Sequence, residues 1–236
     1  PHLSDRRQRQ MCIRDSRPTD SPHRLPRHEA EAVRGIKLST MSERSASQER
    51  STAETNIKLS LNLDGEGNSR INTGIPFFDH MLTLFSRHSL IDLEVEVNGD
   101  VDVDFHHTVE DTGIVIGECL REALGDKSGI RRYGHAYVPM DETLSRTVID
   151  LSNRPQLEFN APATTPDAQN FPFTLVEEFC RALVANLRCN LHIELLYGRD
   201  GHHIAESIFK SLARALRTAS EKDPRMKGIP STKEVL

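Results

Sequence analysis

Two stretches of this chain, DHMLTLFSRHSLIDLEVEV (79–97) and EEFCRALVANLRCNLHIEL (177–195), align with one another without a gap. In each, apolar residues first recur at helical spacing and then alternate, so each reads as a helix running into a strand. A second helical run follows both: HHTVEDTGIVIGECLREAL (106–124) and HHIAESIFKSLARALRTA (202–219). His80 and Glu178 occupy the same position and are 98 residues apart, whereas the doubled histidines are 96 apart, so the second connection is two residues shorter. Matched elements that also carry matched polar side chains point to a tandem duplication. Strands expected at 134–140, 143–151 and 155–159 open the second half. The first half opens on IKLSLNL (57–63), the turn DGEGN (64–68) and SRINTGI (69–75), which read as a hairpin. The fold class is α+β, a duplicated strand-rich α/β unit with halves at about 52–133 and 134–225.

Residues 1–50 are rich in Arg, Ser and Pro, lack aromatic residues and show no periodicity, so a disordered N-terminal extension is expected there. Residues 51–236 then form a single domain. Met41 is a candidate start, and a targeting peptide is the alternative that the interspersed acidic residues disfavour. With 36% hydrophobic and 28% charged residues the chain reads as soluble, and no apolar run approaches the ~20 residues of a membrane span. A net charge of -5 gives no reason to expect nucleic acid. Cys12, Cys119, Cys180 and Cys189 show no CxxC spacing and read as reduced thiols in a cytoplasmic protein.

Eleven histidines are the compositional outlier. On a helix His106 and Glu110 share a face, as do His202 and Glu206, while His107 and His203 point about 100° away. Each half thus offers one residue on its first helix, His80 or Glu178, and an HHxxE set on its second. The eight candidates are His80, His106, His107, Glu110, Glu178, His202, His203 and Glu206. Five imidazoles and three carboxylates without a thiolate suit Mn²⁺, Fe²⁺, Co²⁺ or Zn²⁺ better than Ca²⁺ or Mg²⁺. Divergent histidines favour two ions with about four ligands each: one with His106 and Glu110, another with His202 and Glu206, and His107 and His203 crossing over. The alternative is a pair of solvated helix starts, where acidic residues answer the helix dipole.

The motifs TGIPFFDHML (73–82), HHTVEDTGIVIGECL (106–120), KSGIRRYGHAYVPMDE (127–142), LSNRP (151–155), LHIELLYGRDGHHIAESIFKSLARALR (191–217) and GIPSTKEVL (228–236) resemble the imidazoleglycerol-phosphate dehydratase family, from about Thr52 to the C-terminus. The resemblance implies helices packed between two mixed sheets, a ribosomal-protein-S5-domain-2-like fold. It also implies two Mn²⁺ per active site, other divalent transition metals being possible, and a homo-oligomer of 24 subunits with sites where subunits meet. Glu178 is the glutamate variant of a position where many relatives carry histidine. No counterpart of the phosphatase fused to the dehydratase in some relatives is expected.

The implied reaction, in histidine biosynthesis, removes water from imidazole glycerol phosphate through a di-metal-bound imidazolate to give imidazole acetol phosphate. The resemblance assigns acid/base work to Glu54, in TAETNI (52–57), which also touches substrate, alongside His80, His106, Glu110 and Glu206 as catalytic ligands. It assigns a substrate contact to His88, and the phosphate to Arg132, Arg154 and Lys210 with Ser231 and Lys233 of a C-terminal tail. Arg can grip phosphate oxygens bidentately, and Lys adds a point charge. His135 and His192 read as structural. Two other readings of the residues are a di-metal hydrolase, which would release phosphate, and an assembly protein stapled by metal, which would show no turnover.

Overall fold

The computed structural model describes residues 44–236. The expectation of disorder up to residue 43, and Cys12 with it, lies outside them. The elements follow in the order β1 (Ser45–Ser51), β2 (Thr55–Asn62), β3 (Ser69–Asn72), α1 (Pro76–Ser89), β4 (Asp92–Gly99), α2 (His106–Leu124), β5 (Tyr133–Met140), β6 (Thr143–Asp150), β7 (Gln156–Asn160), α3 (Thr174–Leu187), β8 (Asn190–Tyr197) and α4 (Gly201–Ser220). Two four-stranded sheets result, β1-β2-β4-β3 and β5-β6-β8-β7. Each has two antiparallel pairings and one parallel pairing, β3 with β4 and β7 with β8. The duplication extends to register: Ile71 pairs with Val95 and Phe159 with Ile193, and Val95 and Ile193 are equivalent in the repeat.

Alternation sets the inner faces. Ile57, Leu59 and Leu61 of β2 and Leu93, Val95 and Val97 of β4 are buried, while Lys58, Glu94 and Glu96 between them face out. Helix α2 covers β1 and β2, and α4 covers β5 and β6. Between the sheets the helices meet across the repeat, α2 on α3 and α1 on α4. An alanine Cβ at Gly113 would lie 2.9 Å from Ala182 Cβ, and one at Gly117 would lie 2.8 Å from the Leu183 carbonyl. Two glycines four residues apart on α2 therefore let α3 approach at backbone distance.

Two expectations are corrected. Residues 45–50 are not disordered: Ser45–Ser51 pairs along its whole length with β2. This strand, SASQERS, sits at a sheet edge with Ala46 as its one buried apolar residue, so main-chain hydrogen bonding and not hydropathy places it. Nor do IKLSLNL and SRINTGI form a hairpin, because β4 lies between β2 and β3. Both flanks of apolar β2 are taken by longer strands. The four-residue β3 runs parallel at the far edge, and its loop is pinned by Asp92 Oδ1, which accepts the Glu66 and Asn68 amides at 3.0 and 2.8 Å.

Candidate metal centre

Both doubled histidines open a helix, and in both an aspartate two residues upstream sets the start. Asp200 Oδ1 accepts the amides of His202 and His203, and Asp104 Oδ1 accepts that of His106 at 2.8 Å. Helical spacing then aligns each first histidine with the glutamate four residues on, leaving His106 Nε2 3.6 Å from Glu110 and His202 Nε2 3.0 Å from Glu206.

The third member of each group comes from the opposite half of the repeat. Packing of α1 on α4 brings His80 Nε2 within 2.8 Å of Glu206 Oε1, and packing of α2 on α3 brings Glu178 to His106 and Glu110. Two triads result, His80–His202–Glu206 and His106–Glu110–Glu178, each with its nitrogen and oxygen donors within 4.8 Å of one another. Glu206 is buried; burial raises the pKa of its carboxyl, but hydrogen bonds from Lys210, His80 and His202 outweigh this and bring it to about 2. An ionised carboxylate facing two imidazoles is a donor set that a divalent transition ion fits. The described cysteines, Cys119, Cys180 and Cys189, are free and buried elsewhere; burial raises all three thiols, Cys119 and Cys189 to about 12.

His107 and His203 belong to neither triad. Their rings diverge from the first histidines, at interplanar angles of 90° and 82°, and both are held through Nδ1. His107 Nδ1 lies 3.0 Å from Asp100 Oδ2, and His203 Nδ1 lies 2.8 Å from Glu142 Oε2. The hydrogen bonds to Asp100 and Glu142 raise the pKa values of the two imidazoles. The carboxyl of Glu142 is in turn lowered to about 2 by His203 and the Asp200 amide. Sequence reading missed both acids. Glu142 closes the motif KSGIRRYGHAYVPMDE, but Asp100 carries no signal beyond its neighbours Gly99, Asp102 and Asp104.

Glu54 Oε1 lies 3.7 Å from His107 Nε2, which puts the expected acid/base residue beside an expected ligand. His88 ends α1 on the seam with α4, where burial and then the Lys210 and Arg214 charges lower its pKa. Arg132 grips Asp150 through two nitrogens, at 2.7 and 3.1 Å, and donates to the Pro230 carbonyl at 2.9 Å. Arg154 lies 3.8 Å from the same Asp150, so Arg132, Arg154 and the tail that carries Ser231 and Lys233 converge. Lys210 does not join them. Its ammonium contacts Glu206, while the Arg132 amide bonds to Ala219 O, nine residues further along α4 or about 13 Å. A single chain therefore separates Lys210 from the other phosphate candidates.

The family model described as imidazoleglycerol-phosphate dehydratase matches residues 73–216. A protein of that name from Akkermansia muciniphila is 63% identical over 195 residues, covering 82% of this chain and all of its own length. One from Geobacter metallireducens is 53% identical over 190 residues, covering 80% of this chain and 97% of its own. Among solved structures, imidazoleglycerol-phosphate dehydratase from Staphylococcus aureus superposes with a TM-score of 0.69 at 44% identity, covering 76% of this chain and 99% of that one. The Pyrococcus furiosus structure in complex with (S)-C348 gives 0.70 at 35% identity, covering 80% of this chain and 100% of that one.

Proposed function

The chain belongs to the imidazoleglycerol-phosphate dehydratase family, hydro-lyases of histidine biosynthesis that dehydrate imidazole glycerol phosphate, and we propose that it does so with the substrate imidazole held between two Mn²⁺ ions. The observation that supports this reading is the pair of triads, His80–His202–Glu206 and His106–Glu110–Glu178, each of which presents three imidazole or carboxylate donors to one point. Divalent ions bound there would supply Lewis acidity that favours loss of the imidazole N–H proton.

The remaining work falls to side chains. His107 and His203 turn their Nε2 atoms away from the triads of their own chain, which suits ligands that complete sites on neighbouring copies in a 24-subunit particle. Glu54, beside His107, takes up the imidazole N–H proton, gives it to the departing hydroxyl so that water leaves, and then takes the carbon proton. His88, with its charged form disfavoured, holds a substrate hydroxyl. Arg132 and Arg154, with Ser231 and Lys233, bind the phosphate, and Lys210 reaches it from a different copy. Among the described residues no helix is long and apolar enough to cross a membrane, and reduced buried thiols suit a cytoplasmic setting.

The test is direct. Chelator-stripped and Mn²⁺-loaded protein are each incubated with imidazole glycerol phosphate, and ketone and inorganic phosphate are both measured. Ketone formed by the loaded protein alone is the expected result. Phosphate release without ketone would identify a di-metal hydrolase, and neither product would leave metal with a purely assembling role.

A further inference from the structure

We propose that Asp100 and Glu142 are positioning residues that fix the tautomers of His107 and His203, so that both rings present an unprotonated Nε2 to a metal ion. The inference rests on the reading of His107 and His203 as ligands given above.

The two acids come from unrelated places in the repeat. Asp100 follows β4, and Glu142 lies in the β5–β6 turn. Each nevertheless accepts from Nδ1 of the second histidine of its motif, at 3.0 and 2.8 Å. A carboxylate can only accept, so the proton of a neutral imidazole must sit on Nδ1 and the lone pair on Nε2. Among the described residues the Nε2 atoms have no comparably close partner: their nearest acids are Glu54 at 3.7 Å and Asp141 at 3.8 Å. A carboxylate behind a ligating histidine also raises its basicity and holds the ring plane. The first histidines of the motifs are arranged differently, since His106 and His202 turn Nε2 towards the glutamate four residues on, at 3.6 Å from Glu110 and 3.0 Å from Glu206.

The surroundings of the two acids differ in a way that makes the idea testable. Glu142 Oε1 is committed to the amides of Arg199 and Asp200, at 3.2 and 3.0 Å, and is also within 3.2 Å of the Thr143 hydroxyl. In Glu142→Gln the amide oxygen must keep that side, because an NH₂ group cannot accept from two N–H donors. The NH₂ then faces His203 Nδ1 as a donor, which forces the proton to Nε2. Asp100 has no such commitment, for its Oδ1 is buried without a partner among the described residues. In Asp100→Asn the NH₂ can take the Oδ1 place and leave an oxygen for His107.

The experiment measures ¹⁵N-histidine NMR spectra of chelator-stripped wild type, Glu142→Gln and Asp100→Asn, together with equilibrium dialysis of each against Mn²⁺. At a pH high enough to keep the imidazoles neutral, wild type should show Nδ1–H and a bare Nε2 for both His107 and His203. Glu142→Gln should convert His203 to Nε2–H and weaken one of the two metals about 10- to 100-fold. Asp100→Asn should keep Nδ1–H on His107. A packing role alone would not exchange one tautomer for the other. The proposal is overturned by Nε2–H in the wild type, by an unconverted His203 in Glu142→Gln, or by conversion with both metals held as tightly as before. If the wild type binds no metal, the ligand reading beneath it falls as well, and that result is separate from the tautomer data. Should Glu142→Gln not fold, the wild-type spectrum and Asp100→Asn still decide.

Discussion

Gly134 on β5 is where α4 comes closest to the sheet beneath it. A Cβ built there would lie 2.0 Å from the Ala215 carbonyl oxygen and 2.9 Å from the Ala219 amide, against the 3.0 Å below which real Cβ contacts essentially never fall. In Gly134→Ala the obstacle is helix backbone, so α4 must lift by about 1 Å. Overpacking of this kind costs about 1–3 kcal/mol. At about 2–4 °C per kcal/mol for a domain of this size, the melting temperature of chelator-stripped protein should fall by roughly 2–12 °C. The displacement has a second, separable effect. Helix α4 carries His202 and Glu206, which meet His80 of α1, whereas the other triad lies on α2 and α3. Because His203 also lies on α4, Mn²⁺ titration of Gly134→Ala should show weakened binding at both metals. Scanning calorimetry and equilibrium dialysis read the two effects. An unchanged melting temperature, or unchanged affinity for both metals, would refute the account of α4 as a rigid element seated on β5.

Glu178→Ala should lose one metal per subunit and Glu178→His should retain two, since imidazole also suits Mn²⁺; metal analysis of both proteins reads the outcome, and full occupancy in the alanine form would remove Glu178 from the site. Chelation should abolish turnover and shrink the particle together if His107 and His203 ligate across subunits, which light scattering with a parallel activity assay can follow; a full-sized particle stripped of metal would contradict the interface role. Asp92 is held below the usual 3.8, first by the Asn68 amide and then the Glu66 amide, so its grip on the β2–β3 loop is complete above that value and is lost as pH falls through the lower folded value. Hydrogen exchange at Glu66 and Asn68, corrected for its intrinsic pH dependence, should lose protection as pH falls below the usual aspartate range in wild type and lack that transition in Asp92→Asn.

Much of the site is short-range and was therefore legible in the sequence. The pairs His106 with Glu110 and His202 with Glu206 follow from helical spacing alone, and the duplicated helix–strand–helix order follows from apolar periodicity. Those signals act over a few residues, and the chain shows them directly. Which helix meets which is a different kind of fact. His80 faces Glu206 and Glu178 faces His106 because α1 packs on α4 and α2 on α3, a choice made by close contacts such as those of Gly113 and Gly117 with α3. No local pattern encodes that exchange between the halves. The same limit hid β1, whose polar residues are placed by hydrogen bonding to β2, and the position of β3 beyond β4. It also hid Asp100 and Glu142, seven residues before His107 and 61 before His203, which only the assembled sheets and helices bring to the Nδ1 atoms they hold.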